Sequence, residues 1–157
     1  MKTILLKAVC LLTFLSFTTM AKAQTKEETI AWISEKIGKY ESVIGNSSYR
    51  VEVTVAPCKV IYKQFYSVVD GLPTKPVDGE KVYCSTTEFP TNPIRVESDA
   101  IYWKTKAVNY TDDLWKANRF YEHFYMLGFE REENLAERFF KALQHLNTFC
   151  EKKKETF

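Results

Sequence analysis

From Leu135 onward, apolar residues recur at Leu135, Phe139, Ala142, Leu143, Leu146, Phe149 and Cys150. Gaps of three and four place them on one stripe of an α-helix. Glu137, Arg138, Lys141, Gln144, Asn147, Thr148 and Glu151 fall on the opposite face. Asn134 stands where it can cap the start, and Glu137 three residues on can reach back in capping-box fashion. Lys152, Lys153 and Lys154 stand where the negative end of the helix dipole favours cations. The pattern predicts a helix over 134–153. At 1.5 Å per residue it runs roughly 28 Å, about the width of a small domain. Such a helix cannot hide its stripe alone, so the chain before it has to supply the surface.

The front of the chain bears on compartment. Lys2 and Lys7 precede an apolar run from Ala8 to Phe17, followed by Ala21-Lys22-Ala23. A basic start, a short apolar core and small residues at a cut site describe a secretory signal peptide over 1–23. The run is shorter than the roughly 20 residues that span a membrane. Cleavage after Ala23 would make Gln24 the new N-terminus, and Cys10, inside the apolar core, is not placed for lipid attachment. Lys2, Lys7 and Lys22 are three of the 22 basic residues, and none of the 20 acidic ones precedes Gln24. The mature chain therefore carries one more acid than base. No clustered positive face points to nucleic acid, and no later stretch is apolar enough to span a membrane. Residues 24–157 are the length of one domain.

The mature chain changes period along its length. Thr25-Lys26-Glu27-Glu28 forms a capping box, and Ile30, Ile33, Ile37 and Tyr40 follow helical spacing behind it. A first helix is predicted from Lys26 to about Ile37, extending toward Tyr40, with Gly38 as a stop or a weak point. After the turn at Gly45–Ser48 the period becomes two: Tyr49, Val51, Val53 and Val55 alternate with Arg50, Glu52 and Thr54. Pro57 ends that strand. Further strands are predicted over Lys59–Val69 and Glu80–Phe89, with a loop between them. Ile94–Glu97 and Ala100–Ala107 read as a hairpin turning at Ser98-Asp99. Thr111-Asp112-Asp113 read as the cap of one helical turn holding Leu114 and Trp115. Arg119–Leu127 is rich in aromatics and reads as a strand, broken at Gly128.

A helix, five or six antiparallel strands and a closing helix make an α+β domain, because connections this short cannot form parallel crossovers. The expected architecture is a bent sheet or partly closed barrel with the last helix across its open side.

The closing segment Glu132–Leu146 contains Glu137-Arg138, Lys141-Ala142-Leu143 and His145-Leu146. It resembles the last helix of bacterial pleckstrin-homology-like domains, where a run of strands ends in an "ERxxKALxHL"-type helix that plugs a barrel. The tail Phe149–Phe157 and the Ala-Gln junction resemble short secreted proteins of Gram-negative bacteria. The resemblance implies a pleckstrin-homology-like fold and a secreted or periplasmic location. That fold hosts lipid-binding, peptide-binding and scaffolding roles. The first helix departs from a minimal domain of this kind, which begins with a strand.

Few residues offer chemistry. Cys58, Cys84 and Cys150 remain after processing, so one bridge leaves three pairings and one thiol. Cys58–Cys84, which would join neighbouring strands, is the candidate disulfide, with Cys150 lying on the helix stripe. His123 and His145 are the only histidines. No Gly-x-Ser-x-Gly, His-Glu-x-x-His or Cys-x-x-Cys accompanies them, so no catalytic set, metal site or cofactor site is assigned. The two glycosylation sequons, Asn46-Ser47-Ser48 and Asn109-Tyr110-Thr111, matter only in a eukaryotic secretory route; the leader reads as bacterial, so both read as chance matches. An exposed aromatic platform is the alternative to core packing for Tyr62, Phe65, Tyr66, Tyr102, Trp103 and Tyr121. The expectation is a non-catalytic binding domain that meets a peptide, protein or envelope component through its sheet face or loops. The rivals are a lipid or small-molecule carrier with a barrel cavity, and a small hydrolase.

Overall fold

A computed structural model describes residues 25–44 and 47–150, and the side chains within that range except those of 43, 44, 47, 48 and 127. The leader over 1–23, the first sequon's Asn46 and the Lys152–Lys154 run lie outside the described residues.

The capping box is present: Glu28 N–H donates to Thr25 Oγ1 (3.1 Å), and Thr25 N–H donates to Glu28 Oε2 (2.8 Å). It opens helix α1, Lys26–Glu41. Gly38 is therefore interior to the helix. Ile33, Ile37 and Tyr40 face inward.

Two short strands, β1 (Val43–Ile44) and β2 (Ser47–Ser48), pair with each other. The main sheet follows: β3 (Arg50–Ala56), β4 (Lys59–Val69), β5 (Leu72–Thr74), β6 (Tyr83–Pro90), β9 (Val108–Asp112) and β10 (Ala117–Tyr121). Its order is β10-β9-β6-β4-β3, with β5 paired to β4, and every pairing is antiparallel. The sheet is open, with β3 and β10 at its edges, so it does not close into a barrel. A smaller sheet of β7 (Arg95–Glu97), β8 (Ala100–Tyr102) and β11 (His123–Tyr125) has the order β11-β8-β7. The expected strand over 119–127 is thus two strands, β10 and β11, which leave Glu122 between them and belong to different sheets. Likewise, Asn109–Ala117 holds no helical turn. It is the β9–β10 hairpin, closed by Lys116 at φ 47°.

After a 3₁₀ turn, Leu127–Glu130, comes helix α2, Leu135–Asn147. Gly128 in that turn lies against the Tyr40 ring, where an added Cβ would overlap it. Asn134 does not cap α2 with its side chain. It sits at φ 54°, the left-handed region that asparagine tolerates, whereas side-chain capping needs extended backbone. Beyond Asn147 the chain tightens: Thr148, Phe149 and Cys150 donate backbone bonds three residues back.

The stripe packs as its spacing predicts as far as Leu146, whereas Phe149, beyond the helix end, is exposed. Leu135, Phe139, Leu143 and Leu146 are all fully buried. They join one core with Ile33 and Ile37 of α1, Val60 of β4, Phe89 of β6, Ile101 of β8 and Phe124 of β11. Phe124 stacks on Phe89 at 4.6 Å and meets Phe129 edge-on at 6.0 Å. The helices are also clamped by Glu132. Its carboxylate accepts from Lys36 Nζ (2.9 Å), Tyr40 OH (2.7 Å) and Arg138 Nη1 (2.7 Å). The Lys36 and Tyr40 hydrogen bonds hold its carboxyl down to about 2.

Cys58 bonds to Cys150 and not to Cys84. Cys58 lies in the β3–β4 turn, next to the Lys59–Pro90 pair, whereas Cys84 pairs Phe65 six residues further along β4. At about 3.3 Å per residue that is some 20 Å away, far outside disulfide reach.

Candidate functional site

The inner face of the main sheet, the one α1 and α2 cover, changes character along the strands. In one row Val55 faces Val60 and Val60 faces Phe89, all apolar. The next row runs Val53, Tyr62, Thr87, Tyr110, Arg119, and the one beyond it Val51, Gln64, Ser85, Asp112, Ala117. The period of two sends these side chains to one side of the sheet, where Tyr62, Gln64, Ser85, Thr87 and Asp112 are buried. The last turn of α1 reaches this polar half through Glu41.

These groups are bonded to one another. Tyr66 OH donates to Asp112 Oδ2 (2.8 Å), and Tyr110 OH to the same oxygen (2.9 Å). The N–H groups of Leu114 (2.9 Å) and Trp115 (3.0 Å) donate to Asp112 Oδ1. The expectation that Asp112 caps the following residues therefore holds for its hydrogen bonds, although the turn it caps is a hairpin. Gln64 Nε2 donates to the Glu41 backbone carbonyl (2.8 Å), and Ser85 Oγ donates to Gln64 Oε1 (3.3 Å).

Burial governs the protonation states here. It pushes the Glu41 carboxyl up to about 7, against a hydrogen bond from Tyr62 that lowers it. Burial first, then the hydrogen bond to Asp112, raises Tyr110 to about 12; the same causes raise Tyr66 further. Both phenols are thereby kept as donors to Asp112 at any physiological pH.

Above this network is a recess of about 150 Å³, walled by Tyr49, Tyr66, Tyr110 and Trp115 with Asp112 at its floor. Trp115, at the tip of the β9–β10 hairpin, is 69% exposed, and Leu72, in the β4–β5 hairpin, is 68% exposed. Val69 is exposed on the same β4–β5 hairpin, and Val77 and Val82 are exposed in the β5–β6 connection. The opposite end of the molecule is closed by Cys58–Cys150 and by Thr91, whose Oγ1 donates to the Pro57 carbonyl and to Asn147 Oδ1.

The six aromatic residues singled out as a platform do not form one. Tyr62 and Trp103 are core residues, and Trp103 Nε1 donates to the Pro90 carbonyl (3.0 Å). Tyr66 is buried beneath the recess. Phe65 and Tyr102 lie on outer faces, each under an arginine: Arg50 at 4.3 Å and Arg95 at 4.4 Å from the ring centres. Tyr121 is half-buried beside His123. The reason is geometric: alternation tells which residues share a face, but not which face the helices cover. Tyr49, Tyr110, Trp115 and Leu72 were missed. A tryptophan set between acidic turn residues and Lys116 was the available signal for an exposed aromatic tip.

Among the described residues no group of three or more His, Cys, Asp or Glu is placed to hold a metal ion. None of the described helices is long and apolar enough to cross a membrane. No protein-family model matches the chain, and neither a curated protein nor a solved structure matches it.

Proposed function

We propose that this chain is an exported, non-catalytic binding domain of the bacterial envelope or extracellular space, and that it binds through its open loop end. The observation that carries the reading is Trp115 and Leu72, both exposed at the loop end, with Trp115 on the rim of the recess that holds Asp112. Exposed apolar side chains gathered at one place mark interaction sites, and an exposed aromatic beside a recess with convergent polar groups is how binding sites anchor a ligand. The stapled opposite end makes a rigid base for these loops. Export is supported by the leader pattern over 1–23 and by the Cys58–Cys150 bridge, since disulfides persist in oxidising compartments. A pleckstrin-homology-like relationship is supported by the order of elements, a run of antiparallel strands ending in an amphipathic helix packed on the core. The first helix and the second sheet depart from the minimal form of that fold.

The test is a screen of the protein, purified after export, against peptide and envelope-component libraries. Partners captured by the parent should be lost by Trp115→Ala with Leu72→Ser and kept by Lys141→Ala on the helix side. Equal capture by the loop-end variant would overturn the reading. Mass spectrometry of the exported protein should find Gln24 as its first residue and no acyl group.

A further inference from the structure

The recess at the loop end is built for a positive charge. Four rings, Tyr49, Tyr66, Tyr110 and Trp115, stand around it, its floor is the Asp112 carboxylate, and among the described residues no lysine, arginine or histidine lines it. Aromatic faces carry the negative part of the ring quadrupole and attract cations brought within about 6 Å. The rings are held at fixed angles: Tyr49 meets Tyr66 edge-on (76°, 6.1 Å), and Tyr66 stacks on Tyr83 (5.9 Å). An ammonium already uses the neighbouring ring, since Lys81 Nζ lies 4.9 Å from the centre of Tyr83.

Asp112 decides which cation suits the site. Its two oxygens are occupied by the hydroxyls of Tyr66 and Tyr110 and by the N–H groups of Leu114 and Trp115. A primary ammonium or a guanidinium needs acceptors for its own N–H groups, and would have to displace one of these donors. A fully alkylated ammonium has no N–H to satisfy. It draws its attraction from the buried charge and the ring faces, and leaves the hairpin's hydrogen bonds intact. Taking the loop end as the binding face, we propose that the recess receives a quaternary ammonium group, the trimethylammonium of a choline-type ligand.

The experiment titrates the protein, purified after export, with choline and with 3,3-dimethyl-1-butanol, the neutral analogue of the same shape, following the Trp115 indole N–H resonance. Choline should shift that resonance and bind about tenfold or more tightly than the neutral analogue, since a desolvated cation–π contact is worth that factor. Trp115→Ala, a change at an exposed ring, should abolish choline binding with the melting temperature unchanged, as read by the remaining tyrosine and amide resonances. Asp112→Asn should weaken choline and spare the analogue; should that variant fail to fold, Trp115→Ala carries the comparison. Phosphocholine in solution and phosphatidylcholine vesicles separate the two sources: binding to the first alone means a soluble ligand, binding to both a lipid headgroup. Equal binding of choline and its neutral analogue, or no binding of choline, overturns the cation assignment. If choline fails while Trp115→Ala with Leu72→Ser still loses the library partners, the loop end remains the docking face. If both fail, the docking reading falls with it.

Discussion

Glu41 shows how much one buried side chain imposes on its surroundings. It ends α1 inside the polar half of the sheet, where burial raises its carboxyl from 4.5 to about 7. The folded state then holds the proton more tightly than the unfolded chain. Its contribution to stability is greatest at and below about pH 4.5, falls as pH rises through this window, and is level above about pH 7. The loss is on the order of 3 kcal/mol. Glu41→Gln retains the shape and removes the charge. It should flatten this part of the stability–pH curve and raise stability at pH 8, as measured by urea unfolding at pH 5 and 8. A curve with the parent's slope would show that Glu41 is not the group responsible. Glu132 has the opposite sign. Its pKa is lowered, so its contribution is present at neutral pH and fades as pH falls toward about 2.

At the scale of elements, α2 joins α1, the smaller sheet and the 3₁₀ turn through a few residues. Phe139 is fully buried and contacts Trp32, Phe124 and Phe129, at 5.9, 6.2 and 5.7 Å between ring centres. Leu143 lies one turn on and is equally buried. Truncating a large core side chain typically costs about 2–5 kcal/mol, and a domain of this size has roughly 5–15 kcal/mol in total. Phe139→Ala with Leu143→Ala should therefore unfold the domain or leave it close to unfolding. Lys141→Ala and Gln144→Ala, on the exposed face, should each change stability by less than about 0.5 kcal/mol. Thermal melts of the four variants check this. The turn before α2 has its own constraint: Gly128→Ala would press into Tyr40 and loosen its hydrogen bond to Glu132. Overpacking of that kind costs roughly 1–3 kcal/mol.

For the whole molecule, the arrangement is a clamped end and an open one. The Cys58–Cys150 bridge spans 92 positions and ties the last described residue to the β3–β4 turn. A disulfide typically contributes about 2–4 kcal/mol, more for longer loops, by constraining the unfolded chain. Cys58→Ser and reduction of the parent should lower stability by similar amounts, while Cys84→Ser should change it by less than about 1 kcal/mol. Because the recess is at the far end, each bridge variant that stays folded should bind choline as the parent does. Loss of choline binding in a folded bridge variant would show that the two ends are coupled.

Much of the local structure was legible in the chain. The Thr25–Glu28 capping box starts α1, β4 spans the expected Lys59–Val69, and a hairpin turns at Ser98-Asp99. The buried stripe of α2 also follows directly from gaps of three and four. These features depend on φ and ψ preferences and on side-chain periodicity, which act between residues a few positions apart. What the chain did not reveal depended on partners distant along it. The bend at Glu122 that sends β10 and β11 to different sheets, the choice of Cys150 over Cys84, and the burial of Tyr62 and Trp103 are of this kind. So is the recess, whose lining comes from β4, β5, β6, β9 and the segments flanking β3 and β10. Alternation alone sorts the side chains of a strand into two faces. Only the tertiary structure decided which of the two faces was packed into the core.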